Sequence, residues 1–383
     1  MKSRNRTRRV ADLSFSARSK EPENSGPSER TRSDKSATRL LLSWYARHAR
    51  DLPWRRTTDP FAIWVSEVML QQTQVTTVVP FFQRFMQAFP NVKALAEADE
   101  ADVLRLWEGL GYYRRARALH LAARLIMSEH DGILPRDAEL LGRLPGLGRY
   151  TVNAVLSQAF DDRLPILEAN SRRVLCRLLA IEEDPSRADV QKLLWDAAER
   201  WLPPRGAGRF NQALMEIGAL VCKPAGPLCR ECPLTEHCRA FRLGRQNDIP
   251  RRPTGPRIEE VREVALVIRK RRALLVVQRS AGGRWAGLWE FPHVPLLGEE
   301  THHDAAARLQ ESLGIKGEVL TELATICHAV TRFRITMVCL EARHRSGTVC
   351  ADSYAQARWV SAEELAELPL SSPQRRLAKM LKK

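Results

Sequence analysis

No stretch of this sequence is apolar for long enough to cross a bilayer, and no compact apolar segment follows the basic N-terminus as a secretion signal requires. Those absences point to a soluble, intracellular protein. They also remove the oxidising setting in which eight cysteines would pair as disulfides, so metal ligation is the leading reading wherever cysteines crowd together. Acidic residues are scarce: 45 Asp and Glu against 61 Lys and Arg leave a net charge of +16. Such a surplus binds nucleic acid or an anionic membrane nonspecifically, and charge alone does not choose between them.

What is present divides the chain. At 383 residues it is too long for one typical core. Residues 1–36 hold ten basic and five acidic side chains with little apolar patterning, which reads as a disordered basic arm. Without it the remainder still carries +11, so the basic character belongs to the folded part. Residues 37–242 repeat apolar side chains at helical spacing, with short Gly, Pro and Asp breaks and no strand signal. Asp59-Pro60 is a cap followed by a first-turn proline and opens a helix through Glu67. Composition shifts to Gly, Pro and Arg over 243–260, a linker. Beyond it, 261–383 mixes β-branched runs with helical segments and reads as a separate α/β unit.

Three motifs carry chemistry. Cys222, Cys229, Cys232 and Cys238 fall within seventeen residues and can wrap one cluster or one ion. Structural zinc usually takes two Cys-x-x-Cys knuckles on a longer loop, and only one close pair exists here. Leu144-Pro145-Gly146-Leu147-Gly148-Arg149 sits between two helical segments. Gly146 and Gly148 let the backbone turn and present N–H groups at the next helix start, an anion nest for a DNA phosphate. Glu67 lies among apolar residues, where desolvation would keep a proton available for donation; otherwise it is an ordinary surface glutamate. Gln71 and Gln72 follow as amides suited to base edges or to a gap in a duplex.

In this order the three motifs resemble the helix-hairpin-helix, iron–sulfur DNA glycosylase superfamily. Ser66–Thr73, Leu106–Tyr113 and Arg209–Ala213 resemble its MutY-type adenine glycosylases in particular. The fold implied is multidomain: an all-α helix-hairpin-helix domain with an iron–sulfur loop, then an α/β Nudix-like domain. The resemblance implies that Glu67 protonates adenine at N7. It puts Arg50, Trp54, Arg55, Leu70 and Gln212 around the adenine, Gln72 and Tyr112 as wedges beside the lesion, and one [4Fe-4S] cluster on the four cysteines. Where strand-nicking relatives carry a nucleophilic lysine this chain has Tyr150, which implies a monofunctional, water-using enzyme. The implied partner is double-stranded DNA with adenine opposite 8-oxoguanine or guanine. The protein is expected to act as a monomer without a membrane, in a cytoplasmic, bacterial-type, nucleoid-associated setting.

The chain departs from the pattern at the second carboxylate. Relatives carry an aspartate in a Leu-Asp-Gly-Asn segment; here the run is Leu167-Glu168-Ala169-Asn170. Glu168, with Asn170 beside it, is expected to stabilise the oxocarbenium-like sugar and assist water, a task sensitive to an ångström. The alternative is a weakened or silent lesion-binding protein. In the second domain, Gly283–Pro292 resembles the Nudix-like module that reads 8-oxoguanine. Only one of a hydrolase's three helix glutamates survives, in Ala307–Gly314, too few for magnesium. Thr331, within His328–Phe333, is expected to supply the lesion-reading hydroxyl.

Overall fold

The computed structural model describes residues 27–251, 257–280, 282 and 285–381, with side chains from residue 35 onward. Helix α1 spans Pro27–His48. The disordered arm expected over 1–36 is therefore corrected at its end: 27–36 are helical. Residues 1–26 lie outside the described part. The other helices of this unit are α2 (Pro60–Leu70), α3 (Val75–Ala88), α4 (Val92–Ala96), α5 (Glu100–Trp107), α6 (Arg114–Glu129), α7 (Ala138–Arg143), α8 (Arg149–Phe160), α9 (Ala169–Leu179), α10 (Ala188–Trp201), α11 (Ala207–Leu220) and α12 (Arg239–Arg242). The short α4 has no counterpart in the sequence reading, because five residues are too few to display a period.

Asp59 caps α2 by accepting from the amides of Phe61 and Ala62 at 3.0 and 3.3 Å, a contact of about 1 kcal/mol in such caps. The helices share two cores. One gathers α2, α3, α5, α6 and the buried side of α8 around Trp64, Phe85 and Trp107. The other gathers α1, α9, α10 and α11 around Leu41, Phe210 and Ile217, and reaches Ile249. Within the expected linker, Ile249 thus packs into the helical unit. Helix α8 touches both α2 and α11, so it forms the wall between the two cores.

The second unit is a seven-stranded mixed sheet: β1 (Glu259–Lys270), β2 (Ala273–Gln278), β3 (Trp289–Glu290), β4 (His293–Pro295), β5 (Ile315–Val330), β6 (Phe333–Gly347) and β7 (Gln356–Val360). Strands β1 and β6 run parallel at its centre, Val264 opposite Val338. Alternation on β1 sends Val264, Leu266 and Ile268 to the face covered by α13 (His302–Ser312). It sends Ala265 and Val267 to the face under α14 (Ala362–Glu367) and α15 (Ser372–Met380). The units are stitched together. Leu288 is buried in the first helical core, Tyr113 donates to the carbonyl of Leu370 at 3.0 Å, and Arg375 grips Glu108 at 2.7 and 2.9 Å.

Candidate active site

Nine consecutive residues of α2, Phe61 to Met69, are buried, so this helix offers no solvent face to a carboxylate. Glu67 is 3% exposed. Helix α8 supplies both of its partners. The Tyr150 hydroxyl donates to Oε2 at 2.5 Å and the Gln158 amide to Oε1 at 2.7 Å. Burial raises the pKa of Glu67 above the ordinary carboxylate range; the two hydrogen bonds pull it partly back and the charge of Glu168 pushes it up again. Burial together with the charge of Glu67 drives the Tyr150 phenol far above its usual pKa, so it stays neutral.

Glu168 is the N-cap of α9. Its two carboxylate oxygens accept from the amides of Asn170 and Ser171 at 2.8 and 2.7 Å, and Ser171 Oγ accepts from the Glu168 amide at 2.8 Å. The extra methylene is absorbed by folding the side chain back onto its own helix start. Burial raises its pKa, opposed by those two amides. The helix can bring this cap close to α11 because Gly218 faces it: a Cβ there would lie 2.6 Å from the Cβ of Asn170.

Glu67, Tyr150, Glu168 and Asn170 line one cleft of about 470 Å³ between the two helical cores. Arg50, Trp54, Arg55, Leu70, Gln72 and Gln212 line the same cleft. Sequence reasoning overlooked Glu216, which organises it. This residue is 1% exposed and accepts from Arg50 Nε and Nη2 at 2.9 and 2.7 Å and from Arg55 Nη1 and Nη2 at 3.0 and 2.9 Å. Burial alone would raise its pKa; the guanidinium hydrogen bonds overcome that and hold it at about 2. The two arginines therefore reach the cleft already oriented on one anion. Glu216 lies four residues after Gln212, one turn along the same face of α11, and that spacing was the available signal.

Gln71, read as a base-edge amide, also lines the first cleft and donates its Nε2 to Thr151 Oγ1 at 3.4 Å. The remaining expected residues lie elsewhere. Tyr112 is 49% exposed and lines a second cleft, of about 820 Å³, between the two units, together with Thr331, His328 and Trp285. Gln72 and Tyr112 both hold left-handed backbone, at φ +56° and +49°, which side chains other than glycine seldom adopt. Arg115 holds both turns. It donates to the carbonyls of Val68 and Met69 at 3.0 and 2.9 Å and to that of Gln71, then to those of Leu110 and Gly111 at 3.3 Å each. Gly146 sits in the hairpin turn at φ +80°, whereas Gly148 is the extended N-cap of α8 at φ −80°. Only the first of the two glycines meets a conformational demand. The segment Gly283–Pro292 is described except at 283 and 284.

Three of the four clustered cysteines, Cys222, Cys232 and Cys238, pack against the second helical core. Arg177, buried, donates to Cys222 Sγ at 3.2 Å and to the carbonyl of Lys223 at 2.7 Å. Burial pushes the Cys232 thiol up to about 12, with the other three sulfurs adding to the shift, so the four sense one another's charge. Among the described residues no three His, Cys, Asp or Glu side chains converge tightly enough to hold a single metal ion. Four thiols on one short loop are the donor set that an iron–sulfur cluster takes.

Comparison with known proteins agrees with this architecture. Residues 65–200 match the family described as "HhH-GPD superfamily base excision DNA repair protein", and residues 263–380 match the NUDIX domain. A thermostable thymine-DNA glycosylase superposes with a TM-score of 0.52 and 26% identity, over 56% of this chain and 99% of that one. The fold and cleft thus define a helix-hairpin-helix DNA glycosylase carrying a C-terminal Nudix-like domain. The rat adenine DNA glycosylase is 36% identical over 88% of this chain and 76% of its own length. The human one is 35% identical over 88% and 72%, and that of Buchnera aphidicola from Schizaphis graminum 35% over 67% and 74%. The chain belongs to the adenine DNA glycosylase family. Among the described residues no helix is long and apolar enough to cross a membrane.

Proposed function

We propose that this protein excises adenine from duplex DNA where it faces 8-oxoguanine or guanine, as a monofunctional hydrolase. The observation that carries the reading is the buried Glu67, biased toward its protonated form, sharing one cleft with a second carboxylate on a different helix. The flipped base enters between Arg55, Trp54 and Gln212. Glu67 gives its proton to N7, the C1′–N9 bond breaks with its electron pair going to the base, and adenine leaves neutral. Glu168 stabilises the positive sugar; water then bonds to C1′ and yields its proton to that carboxylate. Tyr150 offers no amine, so no covalent enzyme–sugar link forms.

Gln72 and Tyr112 support the flipped nucleotide and the opposite strand, and Thr331 reads the oxidised base across the second cleft. Cys222, Cys229, Cys232 and Cys238 would hold one [4Fe-4S] cluster, which braces the loop that packs beneath α9. The protein works as a monomer in the cytoplasm, on the nucleoid.

The decisive assay incubates the protein with duplexes bearing adenine opposite 8-oxoguanine, adenine opposite guanine, or thymine glycol, followed by hot alkali. Alkali-dependent cleavage at adenine alone supports the proposal. Tight binding without cleavage assigns a silent lesion sensor instead. Iron and acid-labile sulfide, four of each per chain, check the cluster, and zinc in their place removes it.

A further inference from the structure

One residue of the cleft has no part in the chemistry above: Gln158, on α8, two turns beyond Tyr150. Its Nε2 donates to Glu67 Oε1 at 2.7 Å, and its Oε1 accepts from Gln212 Nε2 at 2.8 Å. Gln212 Oε1 accepts in turn from the Tyr45 hydroxyl at 2.9 Å. Four side chains from α1, α11, α8 and α2 thus form an unbroken hydrogen-bonded row ending on the acid.

The row has a direction, and the chemistry of its end members sets it. An ionised carboxylate only accepts, so Gln158 must present its NH₂ to Glu67. Its carbonyl then faces Gln212, which must donate, leaving the Gln212 carbonyl for the Tyr45 hydroxyl. A proton on Oε1 of Glu67 would require both amides to turn over together. A proton on Oε2 leaves the row intact, because there the Tyr150 hydroxyl can rotate to accept, with Met215 Sδ at 3.4 Å for its own hydrogen.

We propose that Gln158 is a positioning residue that confines the proton of Glu67 to Oε2 and couples that acid to Gln212, the amide that meets the base. Adenine binding at Gln212 and proton donation at Glu67 are then read through one shared side chain. The functional meaning of this coupling rests on the adenine-excision reading; its geometry does not. The groups facing Glu67 are Tyr150 and Gln158 on α8, Glu168 at the start of α9, and Arg55 beside α2. Removing Gln158 alters no charge and leaves the ion pairs of Glu216 in place.

The test uses Gln158→Met, close in volume and without donors, with Gln158→Leu as a second variant should the first fold poorly. Without substrate, the carboxyl carbon of Glu67 is titrated by NMR in glutamate-labelled protein and assigned by its loss in Glu67→Gln. Losing a hydrogen bond to the charged form should move that titration to higher pH. With substrate, single-turnover adenine release is followed against pH. The descending limb should move to higher pH in the same variant, while the maximal rate falls roughly tenfold as Gln212 loses its anchor. A Glu67 titration superimposable on the parent's overturns the proposal, whether or not adenine is released. A shifted titration in a protein whose parent releases no adenine upholds the coupling and counts against the assigned reaction alone.

Discussion

The Tyr150 hydroxyl lies 2.5 Å from Glu67 Oε2, a neutral phenol against a carboxyl group whose pKa burial raises. Both carboxylates of the cleft have raised pKa values: Glu67 is needed protonated and Glu168 ionised. The rate should therefore rise with pH as Glu168 loses its proton and fall as Glu67 does, with both limbs above the usual carboxylate range. Because the two charges interact, the limbs belong to the pair. Single-turnover release measured from acid to alkaline pH checks this. An optimum in the range of free carboxylic acids would remove Glu67 as the acid.

A raised pKa is also a cost to the fold. Above the pKa of an unfolded glutamate the unfolded chain ionises while native Glu67 holds its proton, so stability falls as pH rises toward the folded value. Glu67→Gln should abolish adenine release and raise stability near neutral pH by on the order of 1 kcal/mol. The gain should vanish in acid, where both forms are protonated. Thermal melts of parent and variant at several pH values show whether it does.

Glu168 carries a second duty as the cap of α9. Glu168→Gln keeps an acceptor for one amide and should cost under about 1 kcal/mol, yet remove base release while DNA binding persists. Glu168→Ala should lose the cap as well and cost about 1 kcal/mol. Release by Glu168→Gln at the parental rate would take this residue out of the mechanism.

Glu216 is held near pKa 2 by Arg50 and Arg55, well below the unfolded value. Its contribution to stability is complete above the unfolded glutamate pKa and is lost as pH falls toward about 2. Glu216→Ala leaves two guanidinium groups without their anion and should destabilise by about 3 kcal/mol at neutral pH. It should also flatten the acid limb of the stability profile. Arg55→Ala should cost less, because Arg50 remains. Urea titrations compare the two.

Arg375 binds Glu108 across the units and also donates to the carbonyls of Leu365, Ala366 and Leu368. Glu108→Ala severs the cross-unit half of that network and leaves the other. Adenine release opposite guanine should stay within about twofold of the parent, since Glu67 is untouched. The added preference for 8-oxoguanine should shrink, because the second cleft needs Tyr112 and Thr331 on facing walls. Rates with both duplexes settle it; an unchanged ratio means this bridge does not align the reader.

The sequence by itself determined the helix that carries Glu67, through Asp59-Pro60 and an apolar run, because capping and periodicity are local. It determined the four-cysteine loop and the pairing of an all-α unit with a mixed α/β one. The nine residues expected near the base and sugar do meet in one cleft, and Gln72, expected as a wedge, lines it too. Tertiary structure alone decided how they are held. Glu216, Gln158 and Arg115 carry no motif; they matter because α11, α8 and α6 bring them against residues tens to more than a hundred positions away. Left-handed backbone at Gln72 and Tyr112, the hydrogen bond of Gln71 to Thr151 and the fold-back of Glu168 onto its own helix were equally illegible. A side chain's partner is fixed by packing, and packing is a property of elements that only the folded chain brings together.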